Sequence, residues 1–431
     1  MHIFFSGIGG SGIGPIAQIA LKAGYTVSGS DKRDSDYIKY LKNNGINDIV
    51  LSQTEDSIEK INRQNKIDWF VYTSALTMEN PNPPELEFCK KNNIKTSKRD
   101  VFLSDFLAQK KLKLIAVAGT HGKTTTTAMI VWLFKQLSIP VSYVLPAKTS
   151  FAAMGDYDSS SEYFVYEADE FDRNFLSFNP HVSLITGVSW DHHEIYLTQN
   201  DYNDAFKEFI SKSEKSIMWQ QDYNFLGLED SETTVLNEND QLIGQIKLLG
   251  LYNRRDARLV YELSQVLPLK VSEEKIMAIL NQFPGLSRRM EKISNNLYSD
   301  YAHTPEKITA ALNVAKEMTQ QNNFNKLVVI YEPLTNRRQH YIKDLYRDLF
   351  LSVSRLYWVP SYLAREDDSL PILSPDELIS GLSNKESAVS MDLDLKLKQT
   401  IEKHIENNDL VLALSGGGGN SLDEWLRKNF L

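Results

Sequence analysis

The sequence predicts an α/β protein made of three consecutive units of alternating strand and helix. Two glycine-rich turns, at residues 7–12 and 119–122, each follow a short apolar strand and precede a helix-like segment. Strand-like apolar runs then alternate with helix-like stretches to the end of the chain, the pattern of buried parallel strands with crossover helices. At 431 residues the chain is long enough for two to four domains.

The first unit opens with strand His2–Phe5, the loop Gly7-Ile8-Gly9-Gly10-Ser11-Gly12 and a helix-like Ile13–Lys22; strand Thr26–Gly29 then ends at Ser30-Asp31. An acidic residue a little over twenty positions beyond the first glycine fits a nucleotide-binding βαβ start. Three readings of this loop stay open: NAD with Asp31 on a ribose, a tight turn without ligand, or a different nucleotide diphosphate. Strand Trp69–Tyr72 and helix Pro84–Asn92 continue the alternation. The single cysteine, Cys89, cannot form an internal disulfide, and its apolar-polar helical setting marks it as packing rather than a nucleophile.

The second unit begins with strand Leu112–Val117, the run Ala118-Gly119-Thr120-His121-Gly122-Lys123-Thr124-Thr125 and a helix, Thr126–Leu137. A glycine turn between strand and helix aims backbone N–H groups and a helix N-terminus at one point, which suits a phosphate. Lys123 supplies a point charge for β/γ-phosphates and Thr124 a hydroxyl for Mg2+. The strict G-x-x-x-x-G-K-[ST] pattern is not met, because its first glycine falls at Val117. Strand Tyr163–Tyr166 leads into Glu167-Ala168-Asp169-Glu170-Phe171-Asp172, and strand Val182–Gly187 leads to Trp190-Asp191-His192-His193-Glu194. Both clusters stand at strand ends, where open α/β sheets gather ligands. The crowded carboxylates repel one another unless a cation or solvent relieves them, and phosphate-bound Mg2+ needs such oxygen ligands. His192 joins them as a metal contact. The unit closes with Leu248-Leu249-Gly250-Leu251-Tyr252-Asn253 and helix Arg254–Val266. This chain is predicted to spend ATP.

The third unit follows Pro284-Gly285-Leu286 and the pair Arg288-Arg289. Strand Asn296–Ser299 ends at Asp300-Tyr301-Ala302-His303, with Thr304 as N-cap and Pro305 as N1 of helix Glu306–Met318. Strands Leu327–Tyr331, Leu356–Val359 and Leu410–Leu414 come next, the last running into Gly416–Gly419, Asn420 and a final helix. The tetraglycine is read as a phosphate site or a linker-like turn.

Composition removes several classes. Hydrophobic residues at 42% and charged residues at 24% fit an ordinary globular protein. The net charge of −9 argues against a nucleic-acid partner. No apolar run reaches the roughly 18 residues of a membrane span, and the start carries no basic leader, so the expected compartment is the cytoplasm.

Taken in order, the Gly7–Gly12 loop with Gly29-Ser30-Asp31, the Gly119–Thr125 run, Glu167-Ala168-Asp169-Glu170, Asp191-His192, Gly250-x-Tyr252-Asn253 and Asp300-Tyr301-Ala302-His303 resemble the Mur ligases, ATP-dependent amino-acid-adding enzymes of peptidoglycan synthesis. The resemblance spans essentially the whole chain. It implies a three-domain architecture: an N-terminal Rossmann-like UDP-substrate domain (1–108), a central P-loop-type ATPase (109–290) and a C-terminal Rossmann-like domain that closes over the site (291–431). It implies Gly9, Gly10, Ser11, Gly12, Ser30, Asp31 and Ser74 on the UDP substrate. ATP falls to Gly119, Thr120, His121, Gly122, Lys123, Thr124 and Thr125, with Asn253 on adenine, Arg288 or Arg289 on phosphates and Asp300 on the ribose. Mg2+ falls to Thr124 and Glu167, a second metal to His192, and catalysis to Lys123, Glu167 and His192. His303, Arg337, Arg338 and Arg365 are nominated for the amine substrate.

Within the family, Phe206 stands where several sister ligases carry a carbamylated lysine, and it resembles the alanine-adding branch, as does Tyr362-Leu363-Ala364-Arg365-Glu366-Asp367. The 167–172 cluster, Asp191–Tyr196, Glu332-Pro333-Leu334-Thr335-Asn336 and Ser415–Gly419 resemble the branch that attaches a whole tripeptide. The expected substrates are therefore UDP-N-acetylmuramate with L-alanine, the alternative amine being L-Ala-γ-D-Glu-meso-diaminopimelate, on a monomer or homodimer. His193, His303 or a carboxylate of the 167–172 cluster is expected to take the amine proton. Two other classes remain: an NAD(P) oxidoreductase, which leaves the Lys123 loop unexplained, and a non-catalytic nucleotide-binding regulator, which has no need of metal ligands. Folate-type glutamate ligases share the central logic but lack the glycine-rich first unit.

Overall fold

The computed structural model of the chain describes residues 1–192, 195–229, 232–364, 366–367 and 369–431. The chain divides into two compact units, Met1–Lys247 with Arg255–Pro284, and Leu248–Arg254 with Gly285–Leu431. Among the described residues, the strands form three sheets of five, seven and six.

The first unit holds two of them. Strands β1 (His2–Ser6), β2 (Thr26–Ser30), β3 (Ile49–Val50), β4 (Trp69–Tyr72) and β5 (Lys95–Lys98) form a parallel sheet in the order β3-β2-β1-β4-β5. Alternation along β1 decides which face each side chain serves. Ile3 and Phe5 pack with Ile16 and Phe102 on one face, and Phe4 packs with Phe70, Ile58 and Cys89 on the other. Cys89 is fully buried and burial pushes its thiol up to about 12, so it is a core residue, as the sequence indicated.

The second sheet contains β6 (Lys113–Ala118), β7 (Val141–Val144), β8 (Gly155–Asp156), β9 (Tyr163–Glu167), β10 (Val182–Ile185), β11 (Ser216–Trp219) and β12 (Thr233–Leu236), in the order β12-β11-β10-β6-β9-β7-β8. β6 lies between β10 and β9 and is parallel to both, with Val117 opposite Glu167 and Ala118 opposite Ile185. This register collects the carboxyl ends of three strands at one place, and each of those ends carries one of the motifs. Residues of both sheets, among them Phe5, Trp69, Ala116 and Tyr166, share one apolar cluster.

In the second unit, β13 (Glu291–Ser294), β14 (Leu297–Asp300), β15 (Leu327–Glu332), β16 (Arg355–Trp358), β17 (Ala388–Ser390) and β18 (Leu410–Ser415) form a sheet ordered β13-β14-β18-β15-β16-β17, parallel except for the β13–β14 pair. Alternate residues of β15 again divide between two cores: Leu327, Val329 and Tyr331 on one face, Val328 and Ile330 on the other.

Several element bounds shift by a few residues, the helix expected at Arg254–Val266 starting at Leu251 among them, and two local findings bear on the sites. The helix after the Lys123 loop starts at Lys123 rather than Thr126, because Gly122, in the left-handed region at φ 81°, serves as its N-cap and turns the chain directly into the helix. Thr304 does occupy the N-cap of helix Pro305–Gln321, but its side chain makes no capping bond, and Pro305 at N1 already removes one N–H that would need a partner. No helix among the described residues is long and apolar enough to cross a membrane.

Candidate active site

The central site is built on the carboxyl ends of β6, β9 and β10. After β6 the backbone takes positive φ at Gly119 and Gly122, and a Cβ at Gly122 would lie 2.7 Å from Asp256 Oδ1, so only glycine fits there. Thr120 is anchored across the loop: its hydroxyl donates to the Ser189 carbonyl at 2.8 Å and accepts from the Ser189 N–H at 2.9 Å. Thr186 donates its hydroxyl to the His121 carbonyl. With helix Lys123–Gln136 leaving from Gly122, the loop presents a helix N-terminus, the arrangement that receives phosphate.

Lys123 and Glu170 form the central ion pair. The ammonium lies 2.9 and 2.7 Å from the two Glu170 oxygens and also donates to the Gly119 carbonyl at 2.6 Å. Burial opposes the charge, but Glu170, with Asp169 and Glu167, outweighs it and holds Lys123 above its ordinary range. Tyr196 fixes the Glu170 backbone by donating its hydroxyl to the carbonyl at 2.6 Å.

Glu167 ends β9 opposite Val117. Burial pushes its carboxyl up, partly offset by Lys123 and by the Thr124 hydroxyl beside it, and its Oε2 is buried without a protein partner. An orphaned buried carboxylate oxygen beside a hydroxyl at a phosphate loop is a donor set that suits a hard divalent cation. Donor atoms of Asp169, Glu170 and His192 come within 4.8 Å of one another, a second group able to hold a metal; Glu167 is not part of it. His192 adopts the left-handed region at φ 55°, its N–H held by the Asp191 carboxylate at 2.8 Å and its ring 5.1 Å from that of Phe171.

The crowded carboxylates are relieved chiefly by protein cations that the sequence reading missed. Asp172, itself at φ 53°, pairs with Lys98 and accepts from the Ser74 hydroxyl at 2.5 Å. Asp169 lies 4.0 Å from Arg99, whose guanidinium also binds Asp100 at 3.1 Å and fills the space where a Gly12 side chain would stand. Lys98 and Arg99 sit at the junction of β5 with helix Arg99–Lys110, so the first sheet supplies the charges that the second needs. The one legible signal was a basic pair at a strand end. Phe206 is fully buried in helix Gln199–Ser211 against Phe175 and Tyr202, an aromatic setting with no place for a carbamylated side chain.

The N-terminal candidates fall into two groups. Gly9, Gly10, Ser11 and Gly12 form an accessible loop, and the Gly9 N–H donates to Asp31 Oδ2 at 2.9 Å. Ser30 is fully buried, its hydroxyl without a hydrogen-bond partner, and Ser74 donates its hydroxyl to Asp172.

Asn253, Arg288, Asp300, His303 and Arg337 belong to the second unit. Asn253 donates to the Leu249 carbonyl at 2.8 Å. Arg288 packs over the Tyr301 ring at 4.4 Å and donates to the Gly417 carbonyl at 2.6 Å. Asp300 is buried, which raises its carboxyl, and accepts from the Met290 N–H at 2.8 Å. Burial drives the His303 imidazole down to about 3, with Lys307 and Arg338 adding to the effect, so it is neutral at neutral pH. Arg337 is exposed, with its N–H on Glu366 at 2.9 Å; Arg365 and His193 lie outside the described residues. The tetraglycine is no linker: a Cβ at Gly417 would come within 2.6 Å of Ser421 and 2.7 Å of Tyr362. It borders a cavity of about 460 Å³ lined by Glu332, Ser361, Tyr362 and Asn420.

Three family models match the chain in succession: the Mur ligase family catalytic domain at residues 2–111, the Mur ligase middle domain at 117–248, and the Mur ligase glutamate ligase domain at 288–417. The UDP-N-acetylmuramate–L-alanine ligase of Clostridium tetani is 29% identical over 96% of this chain and 95% of its own. That of Clostridium botulinum is 27% identical over 96% and 94%. Among solved structures, the UDP-N-acetylmuramate–alanine ligase of Thermotoga maritima superposes with a TM-score of 0.75 at 23% identity, covering 99% of this chain and 98% of that one. A murein peptide ligase from Psychrobacter arcticus gives 0.63 at 20% identity, covering 99% of both.

Proposed function

The chain belongs to the Mur ligase family, and from that premise we propose that it joins the lactyl carboxylate of UDP-N-acetylmuramate to the amine of L-alanine, with cleavage of ATP, in peptidoglycan precursor synthesis. The observation that carries the catalytic part is the convergence of Lys123, Thr124, Glu167 and Glu170 at a glycine loop that opens a helix.

A carboxylate anion does not accept an amine, so it is first activated. The γ-phosphoryl of ATP passes to the lactyl carboxylate, giving an acyl phosphate; the amine attacks its carbonyl, and phosphate leaves from the tetrahedral intermediate. Phosphoryl transfer asks a protein for position and charge neutralisation. Lys123 supplies the mobile positive charge by turning from Glu170 to the β/γ-phosphates, and the loop N–H groups orient them. Thr124 and Glu167 would hold Mg2+, which supplies further neutralisation of phosphate charge; His192 with Asp169 and Glu170 would hold a second ion. Asn253, Arg288 and Asp300 are assigned to the nucleotide, and the cavity beside Glu332 and Tyr362 to the amine. We expect the enzyme in the cytoplasm, where ATP and a nucleotide-activated substrate are both at hand.

The alternative amine is L-Ala-γ-D-Glu-meso-diaminopimelate, the substrate of the branch that the runs at residues 332–336 and 415–419 resemble. Phosphate release from ATP with UDP-N-acetylmuramate, Mg2+ and either amine decides between them. Release driven by L-alanine, with a product heavier by one alanyl residue, is the expected result. Release with the tripeptide alone transfers the assignment to the recycling reaction, and silence with both defeats each reading.

A further inference from the structure

Arg288, assigned above to the nucleotide, is held in place by the end of the chain. Its backbone is pinned on both sides: the N–H donates to Glu291 Oε2 at 2.6 Å, and the carbonyl accepts from the Tyr301 N–H at 2.8 Å. The residue stands at φ 60°, in the left-handed region that a side chain enters only at a cost. Its guanidinium lies over the Tyr301 ring, Nη2 donates to the Gly417 carbonyl, and Nε lies 3.4 Å from Asp423 Oδ2. The side chain stays 32% exposed, so part of the fork still reaches solvent.

Asp423 belongs to the last helix, Leu422–Phe430, and its carboxylate is buried. It accepts from the Ser299 hydroxyl at 2.6 Å. Arg427, one turn further on, donates to its two oxygens at 3.1 and 3.3 Å. That arginine is already matched by Glu291, whose oxygens it meets at 3.1 and 2.7 Å. Two carboxylates thus stand against two guanidinium groups, and with Arg427 committed to Glu291 the charge of Asp423 is left for Arg288. The helix that carries Asp423 is seated at its start: buried Glu332 accepts the Leu422 N–H at 2.9 Å and the Ser415 hydroxyl at 2.6 Å. Ser299, Glu332 and Ser415 lie on β14, β15 and β18, so three neighbouring strands of one sheet set where Asp423 stands.

We infer that Asp423 is a positioning residue for Arg288 in phosphoryl transfer. A carboxylate beside a phosphate-binding group lowers the net positive charge there, so it does not serve the attraction of ATP. What it serves is orientation. A free arginine side chain samples many rotamers, and bound phosphate must then select one. Asp423 at Nε, Gly417 at Nη2 and Tyr301 against the plane fix one in advance and leave the rest of the fork to phosphate oxygens. Phosphoryl transfer depends on such placement, since an error of about 1 Å can lower a rate about a hundredfold. The assignment rests on the ATP-dependent ligase reading above and names the group that aims Arg288.

The test is a double-mutant cycle on kcat, read as phosphate release from ATP by the full chain with UDP-N-acetylmuramate, Mg2+ and the amine that drives release. Asp423→Asn keeps an oxygen for Ser299 and removes the charge. Its kcat falls about tenfold, while KM for UDP-N-acetylmuramate stays within about twofold of the wild type's. In an Arg288→Ala background, where Arg427 still gives Asp423 a cation, the same replacement changes kcat by less than about twofold, because its effect passes through Arg288. Ser299→Ala, which loosens the carboxylate but keeps its charge, loses a smaller factor, and that loss also vanishes with Arg288→Ala; this second cycle decides the matter if Asp423→Asn does not fold. Wild-type kcat in both Asp423→Asn and Ser299→Ala, or equal losses with and without Arg288, overturns the role of Asp423. An Arg288→Ala variant that turns over like the wild type removes Arg288 from the phosphates, and Asp423 with it. A wild type that releases no phosphate with either amine defeats instead the ligase reading on which the assignment stands.

Discussion

Lys123 and Glu170 neutralise each other in the interior of the central site, with side chains 13% and 1% exposed. Removing one member of such a pair strands the other, a loss of about 3–5 kcal/mol. Lys123→Ala is therefore expected to lower turnover by several orders of magnitude and to lower the melting temperature as well. Adding Glu170→Gln to it should restore most of the melting temperature and none of the turnover. Thermal melts run beside phosphate-release assays separate the two effects, and a double variant as unstable as the single one would refute the ion-pair account.

Glu167 gives the opposite pattern. Its Oε2 is buried without a protein partner and burial already raises its carboxyl, so Glu167→Gln removes a strained charge while keeping the shape. We expect a melting temperature equal to or above the wild type's, with turnover down at least about a hundredfold and more Mg2+ needed for half-maximal rate. Unchanged Mg2+ dependence would remove Glu167 from the metal site.

Gly122→Ala tests the loop itself. The residue sits at φ 81° with Asp256 Oδ1 2.7 Å from any added Cβ, so both backbone and neighbour resist it. A penalty of about 1–3 kcal/mol in unfolding free energy is expected, and ATP-analogue binding should weaken with it. Near-normal ATP affinity in a calorimetric titration would show that the loop does not hold the nucleotide.

His303 sets a pH signature in the second unit. An unfolded imidazole titrates near 6.5, whereas the folded one is held down to about 3, so the unfolded chain binds the extra proton between those values. The stabilisation is complete above about pH 6.5 and is lost progressively as pH falls toward 3. Urea midpoints of the wild type should therefore drop more steeply between pH 6.5 and 4 than those of His303→Gln. Parallel slopes would mean that His303 is not buried in its neutral form.

What could be read from the sequence was local. Strand, glycine turn and helix follow one another within the 113–136 stretch, so periodicity and turn chemistry located this glycine loop at a helix start without tertiary information. The same holds for the carboxylates at the end of β9. Their partners were hidden because Lys98 meets Asp172 across 74 positions of sequence, and Arg99 meets Asp169 only because the two sheets share a core. The tetraglycine was ambiguous for a similar reason: Tyr362, which forbids a side chain at Gly417, lies far away along the chain.

The hexapeptide Glu167–Asp172 ends one strand, faces the phosphate loop through Glu170, approaches Arg99 through Asp169 and ties Lys98 and Ser74 through Asp172. Its spacing is thus a measured length as much as a set of charges. Point replacements there remove one partner at a time, whereas a single inserted or deleted residue would shift every downstream partner together. In the drift of such a gene, this segment can tolerate changes of letter far more readily than changes of length.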